Sequence, residues 1–151
     1  MIPKKSKYAI QALKCLAKVY RDKQHLSIAT IATEENIPRK FLEAILLQLR
    51  NEGIVGSKMG ANGGYYLLKH PDEIVLSTII RCTGGPLALL PCVSLNYYEP
   101  CIECPHEDLC GLHEVMLEVR EASIHILSKT SLADLILREK KLLRKKENRK
   151  V

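Results

Sequence analysis

The segment from Ser27 to Lys69, SIATIATEENIPRKFLEAILLQLRNEGIVGSKMGANGGYYLLK, constrains the fold more than any other part of the chain. Ser27 can cap a short helix running through Glu35, and Pro38, a residue favoured in a first helical turn, opens a further helix to about Glu52. The apolar spacing of that later helix predicts that Phe41, Leu42, Ile45, Leu46 and Leu49 are buried. Ala32 is followed four residues later by Asn36, and six residues after that by Leu42. A helix-turn-helix needs this order: a small residue where helices cross, a residue tolerant of left-handed geometry in the turn, and an apolar anchor in the second helix. Next, GIVGSKMGANGGYYLLKHP offers a strand near Ile54 to Lys58, a turn at Gly60, Gly63 and Gly64, and a return strand at Tyr65 to Lys69. Upstream, Ala9, Ala12, Leu13, Leu16, Ala17 and Tyr20 form one face of an amphipathic helix, and Lys4, Lys7, Lys14, Lys18 and Arg21 gather on another. Three helices followed by a hairpin predict a winged helix-turn-helix: a mainly α fold with a small β-hairpin.

Charge divides along the chain. Residues 1–70 hold 12 Lys+Arg against 5 Asp+Glu, residues 71–130 hold 3 against 9, and residues 131–151 hold 8 against 3, so the balances +7, −6 and +5 give the net +6. The basic first half suits a polyanionic partner, and the acidic middle is a poor surface for nucleic acid. At 151 residues and 46% hydrophobic content the chain suits one domain, or a small domain with an added arm. The N-terminus has lysines scattered through its apolar residues, unlike a signal peptide. The longest uncharged run, Cys82 to Tyr98, is broken by two glycines and two prolines and does not read as a membrane span. A cytoplasmic location is therefore expected, with no membrane partner. In a reducing compartment the six cysteines point to metal binding, redox sensing or core packing rather than a disulfide framework.

Four of those cysteines lie in PCVSLNYYEPCIECPHEDLCGLHEVM, residues 91–116. Cys101, Cys104, Cys110 and His113 form a Cys-x2-Cys-x5-Cys-x2-His array that could close a tetrahedral zinc site. A metal-free thiol switch is the other reading, since Cys101 and Cys104 are close enough in sequence to oxidise together. Cys15 and Cys82 fall in helical patterns and read as small buried hydrophobes, and His106 reads as a loop residue. An enzyme such as a thiol oxidoreductase would need a βαβ pattern around its cysteine pair, or a nucleotide loop or nucleophile–base set elsewhere. The chain reads as a non-enzyme. A helical protein-interaction module is a further alternative.

From about Gly111 to Ser128 a helix carries Leu112, Val115, Met116, Val119, Ala122 and Ile126 on one stripe, Leu117 and Ile124 on a second, and Glu114, Glu118, Glu121 and His125 on a polar one. Two apolar faces need two neighbours, and a second copy of the same helix would give a twofold homodimer. Ser131 can cap a last amphipathic helix that fades into a frayed, solvated basic tail. The expected organisation is a DNA-binding domain over residues 1–82, a cysteine-rich sensory loop over 83–110, a dimerisation helix over 111–130, and a C-terminal helix and tail over 131–151.

SKYAIQALKCLA, the run IPRKFLEAILLQLRNEGIVGS, the wing GGYYL and the cysteine loop together resemble the Rrf-two family of bacterial transcription regulators, over residues 4 to about 130. The family includes iron–sulfur sensors, a nitric oxide sensor and a regulator of cysteine metabolism. The resemblance implies a homodimer that binds a partly palindromic double-stranded DNA operator, most simply as a repressor. Base contacts would come from Arg39, Lys40 and Glu43 at the start of the third helix, with Glu43 accepting from a cytosine amino group. Ser6, Lys7 and Tyr8 would meet phosphate, and Lys58 and Asn62 would flank the wing contact. Met59 stands where the family usually has arginine, so minor-groove reading there passes to an apolar wedge or is lost to packing. Cys104, Cys110 and His113 match the family's cluster loop. Tyr98 occupies its usual first cysteine position, Cys92 is displaced by an apparent insertion, and Cys101 is an extra thiol. The resemblance thus implies a 2Fe-2S or 4Fe-4S iron–sulfur cluster on Cys92, Cys104 and Cys110, completed by His113 or Cys101, with zinc or no metal as alternatives.

Overall fold

The structure, a computed structural model, describes residues 2–104 and 106–149. Helix α1 (Lys4–Val19) leads into α2 (Ile28–Glu34) and α3 (Arg39–Asn51), which are followed by strands β1 (Val55–Lys58) and β2 (Gly64–Leu67). Three more helices complete the chain: α4 (Leu76–Cys82), α5 (Gly111–Lys129) and α6 (Leu132–Asn148). Ser27 caps α2, its Oγ accepting from the Thr30 N–H at 3.1 Å. At the turn the Ile37 N–H reaches the Ala32 carbonyl at 3.0 Å, and Asn36 takes φ 50°, the left-handed geometry expected of it. Pro38 stands one residue outside α3 as its N-cap rather than inside its first turn.

Helix α3 buries Leu42, Ile45, Leu46 and Leu49 against α1 and α2. Phe41 departs from the expectation: it is 60% exposed. The four buried positions already complete the i, i+3, i+4, i+7 face, and Phe41 stands on its flank.

Strands β1 and β2 pair antiparallel, from Val55 opposite Leu67 to Lys58 opposite Gly64. Leu26 adds a third rung beside them, donating to the Tyr65 carbonyl at 3.0 Å and accepting from the Tyr65 N–H at 2.8 Å. Glycine is required at position 64, where φ is 145° and a Cβ would lie 2.5 Å from the Leu26 carbonyl oxygen. The hairpin is joined directly to α3, because the Ile54 N–H bonds the Leu49 carbonyl at 2.9 Å. Arg50 Nη1 reaches Ser57 Oγ at 3.4 Å and ties the strand to the end of the helix.

One apolar core runs through these elements, from Ala9, Leu13 and Leu16 of α1 to Ile31, Leu46, Val55, Ile79 and Leu132. Helix α4 is anchored to α1 by a buried hydrogen bond of 2.7 Å between Ser6 Oγ and Thr83 Oγ1. Helix α6 begins with a capping box, Ser131 Oγ accepting from the Asp134 N–H and Asp134 Oδ2 accepting from the Ser131 N–H. It then packs on α1, where Lys14 Nζ meets Glu139 Oε1 at 2.7 Å. Helix α5 is different: it packs on α4 yet contains no buried residue. No helix among the described residues is long and apolar enough to cross a membrane.

Candidate nucleic-acid interface and cysteine loop

Because α3 buries only one face, the opposite face of its first turns carries Arg39, Lys40 and Glu43 in the open. Arg39 Nε and Glu43 Oε1 are paired at 3.2 Å across one helical turn. Lys58, Met59 and Asn62 are all exposed at the wing, and Met59 is not packed down: it is 95% exposed. On α1, Lys7 is exposed and Tyr8 is half-buried, with Lys4 Nζ 5.5 Å from the centre of its ring. Ser6 requires a correction. Its side chain is fully buried and bonded to Thr83, so no hydroxyl remains for a phosphate.

The cysteine loop runs from a 3-10 turn at Pro91–Val93 to another at Glu107–Leu109 and ends at Cys110, the N-cap of α5. Cys104 and Cys110 are brought together, sulfur to sulfur 3.9 Å apart. The Cys110 thiol is held below the usual range, first by the backbone N–H of His113 and then by the Cys104 thiol donating to it. Cys104 is pushed up to about 11, chiefly by its hydrogen bond with Cys110 and then by that with Cys101. Of the pair, Cys110 is the more acidic thiol, and Cys104 donates its hydrogen bond to it. Cys92 is raised by partial desolvation and then by the nearby Glu107 carboxylate and Cys101. His113 occupies the first turn of α5, and its Nδ1 is buried with no hydrogen-bond partner among the described residues. His106 is exposed.

Four thiols in one loop and the His113 imidazole in the helix that follows suit an iron–sulfur cluster or a thiophilic metal by donor type; the structure brings Cys104 and Cys110 together, but among the described residues no three of these donors form a ligand-spaced group. The ligand-spaced group found among the described residues is Cys15 with Glu34 and Glu35, whose ligand-type atoms lie within 4.8 Å of one another. It is a polar tie instead. Burial and the Glu34 carboxylate push the Cys15 thiol up to about 12, Cys15 Sγ donates to Glu34 at 3.2 Å, and Lys18 compensates both carboxylates at 3.8 and 3.5 Å. Cys82 is half-buried and raised to about 11, mainly by desolvation. Cys15 is buried in the core, as its helical pattern predicts, while also making this polar tie, and Cys82 packs half-buried against the same core.

Two residues that sequence reading did not single out organise the loop. Glu107 accepts from the Tyr98 hydroxyl at 3.2 Å and from the Cys101 N–H at 3.2 Å. Arg120 of α5 donates from Nη1 to the Val93 carbonyl at 2.7 Å, next to Cys92. The glutamate lies within the motif and its acidity is visible there. The Arg120 contact joins residues 27 positions apart, and no local pattern announces it.

A helix-turn-helix with exposed cations on its second helix, continued by a hairpin wing, defines a winged-helix DNA-binding protein. Comparison with known proteins narrows the class. The family model described as Rrf2, iron-dependent transcriptional regulator, matches residues 2–138, and the chain belongs to the Rrf2 family of transcriptional regulators. It is 42% identical over 138 residues to an rrf2-like HTH-type transcriptional regulator of Rhodobacter capsulatus, covering 90% of this chain and 92% of that one. Its structure is similar to that of CymR, the global cysteine regulator of B. subtilis, with a TM-score of 0.71 at 30% identity over 89% of this chain and 95% of that one. It is also similar to IscR of T. potens, with a TM-score of 0.72 at 25% identity over 92% and 88% of the two chains. The winged-helix fold expected from sequence is thus shared with solved family structures.

Proposed function

We propose that this transcriptional regulator binds its operator as a homodimer and that the state of the cysteine loop sets its affinity for DNA. The observation that carries the reading is the position of Cys110 as the N-cap of α5, 3.9 Å from Cys104, at the start of a helix whose other face is uncovered. Leu112, Val115 and Ile126 are 59, 51 and 61% exposed, and with Val119 and Ala122 they recur at spacings of three and four, the pattern of a two-helix seam. A second α5 meeting this stripe about a twofold axis would bury it on both chains.

Cys92, Cys104 and Cys110, with His113 or Cys101 as fourth donor, would hold an iron–sulfur cluster. When bound, such a cluster supplies a one-electron redox centre and a cross-link among distant points of the loop. The chain's own residues carry that state onward. Cys110 and His113 belong to the first turn of α5, and Arg120 grips the Val93 carbonyl from two turns further along. α5 packs on α4, and α4 is fastened to α1 through Thr83 and Ser6. Reordering the loop would therefore shift α5 and the spacing of the two α3 helices. On DNA, Arg39 and Lys40 donate to base edges, Glu43 accepts from a cytosine amino group, and Lys7, Tyr8, Lys58 and Asn62 meet backbone oxygens.

The test is iron and acid-labile sulfide analysis of anaerobically purified protein, together with binding to a duplex selected from a random pool. Cys104→Ala and Cys110→Ala should lose visible absorbance and change affinity while far-ultraviolet circular dichroism stays the same; Cys15→Ala should do neither. Stoichiometric zinc without iron or sulfide would replace the cluster by a Cys3His site. A metal-free protein whose DNA affinity changes on two-electron oxidation by peroxide would assign the control to a Cys104–Cys110 disulfide, the second reading favoured by their proximity.

A further inference from the structure

We infer that Met59 makes the wing a reader of DNA flexibility, entering the minor groove as an apolar wedge and favouring a pyrimidine–purine step beneath it. The inference rests on the DNA-binding reading above and concerns how sequence is sensed where no base edge is read.

Met59 is 95% exposed, although a methionine gains free energy wherever it can pack. It projects from a well-fixed support. The Gly63 N–H closes the tip turn on the Gly60 carbonyl at 3.0 Å, and at position 63 a Cβ would collide with the Lys58 carbonyl oxygen, 2.2 Å away. Below the tip, the Leu26–Tyr65 bridge and the Arg50–Ser57 contact secure the strands.

Charge decides against the usual alternative. A narrow A-tract groove attracts cations, and residues 59–64, MGANGG, bring none; Lys58 is the single cation at the tip. What the tip offers is an unbranched, polarisable side chain, one of the types that insert between base steps. Burying that side chain and unstacking one step are free energies of similar size and opposite sign. Insertion is therefore favourable only where unstacking is easy, at TA or CA/TG steps. An arginine at this position would select for groove width; a methionine selects for a weak stack.

The experiment takes the duplex that the wild-type protein enriches from a random pool and replaces the base step under the wing by an A-tract. Fluorescence anisotropy at fixed salt and end-to-end energy transfer report affinity and bend. Wild type should bind the A-tract duplex about tenfold more weakly and bend it less. Met59→Ala should discriminate between the two duplexes by less than about twofold, and Met59→Leu should retain most of the discrimination. If Met59→Ala keeps the wild-type ratio and bend, or wild type shows no preference between the duplexes, the wedge is refuted. If wild type enriches no duplex over random DNA, the DNA-regulator reading itself fails and the wedge falls with it.

Discussion

In the DNA-free protein Arg39 and Glu43 satisfy one another across a helical turn, with both side chains more than half exposed. Such a pair contributes only about 0.3–0.5 kcal/mol, so a base edge that suits each partner better can open it. Arg39→Ala should weaken binding to the selected duplex by about 1–3 kcal/mol and relax preference at one position, whereas equal loss on scrambled DNA would reassign Arg39 to phosphate. Glu43→Ala should change which sequences are preferred more than it lowers affinity, because it also removes a negative charge from the DNA face; competition among duplexes of varied sequence measures this. At the cysteines the chemistry is asymmetric. With the metal removed and thiols reduced, iodoacetamide near neutral pH should modify Cys110 before Cys104, since the His113 N–H favours the Cys110 thiolate while Cys104 keeps its proton up to about pH 11. Peptide mass mapping over time gives the order, and faster loss of Cys104 would contradict it.

Among the elements, α6 is joined to the core at its first residue: Leu132 is fully buried among the side chains of the winged helix. The capping box fixes where it starts. Ser131→Ala should cost about 1 kcal/mol, read as a lower urea midpoint with an unchanged slope. Asp134 is held below the usual carboxylate range, first by the backbone N–H of Ser131 and then by its hydroxyl. A depressed folded-state pKa gives stability that is present above the ordinary aspartate range and lost as pH falls through the lowered value. Asp134→Asn should therefore flatten the acid limb of stability against pH, and an unchanged limb in urea titrations would sever that link.

At the scale of the whole molecule the proposed dimer rests on α5, which has no buried residue in one chain. A twofold pair would place two α3 helices about one helical turn of DNA apart, roughly 34 Å or a multiple, and operator affinity would fall steeply with salt as phosphate contacts release counterions. Val115→Glu brings like charges into the proposed seam. Because Val115 is half exposed in one chain, the variant should keep its circular dichroism yet sediment as a monomer and lose specific binding. A Val115→Glu protein that remains dimeric would move the seam elsewhere.

The residues from Ser27 to Lys69 announced their structure locally. Ser27 caps, Asn36 turns, and Leu42, Ile45, Leu46 and Leu49 fall on one helical face, all by spacing within a few residues, although Gly64 is fixed by the distant Leu26 carbonyl. The exposed cations and the cysteine spacing were legible for the same reason: both are properties of order along the chain. Tertiary structure decided the rest. Ser6 is buried because α4 brings Thr83 to it from 77 residues away, and Phe41 is exposed because the α3 face was already complete without it. It also decided that Met59 stands clear of the core and that Arg120 reaches across to Val93. A side chain's type and neighbours in sequence limit what it can do, but whether it faces core, solvent or a distant carbonyl depends on how the elements dock, and that information is not local.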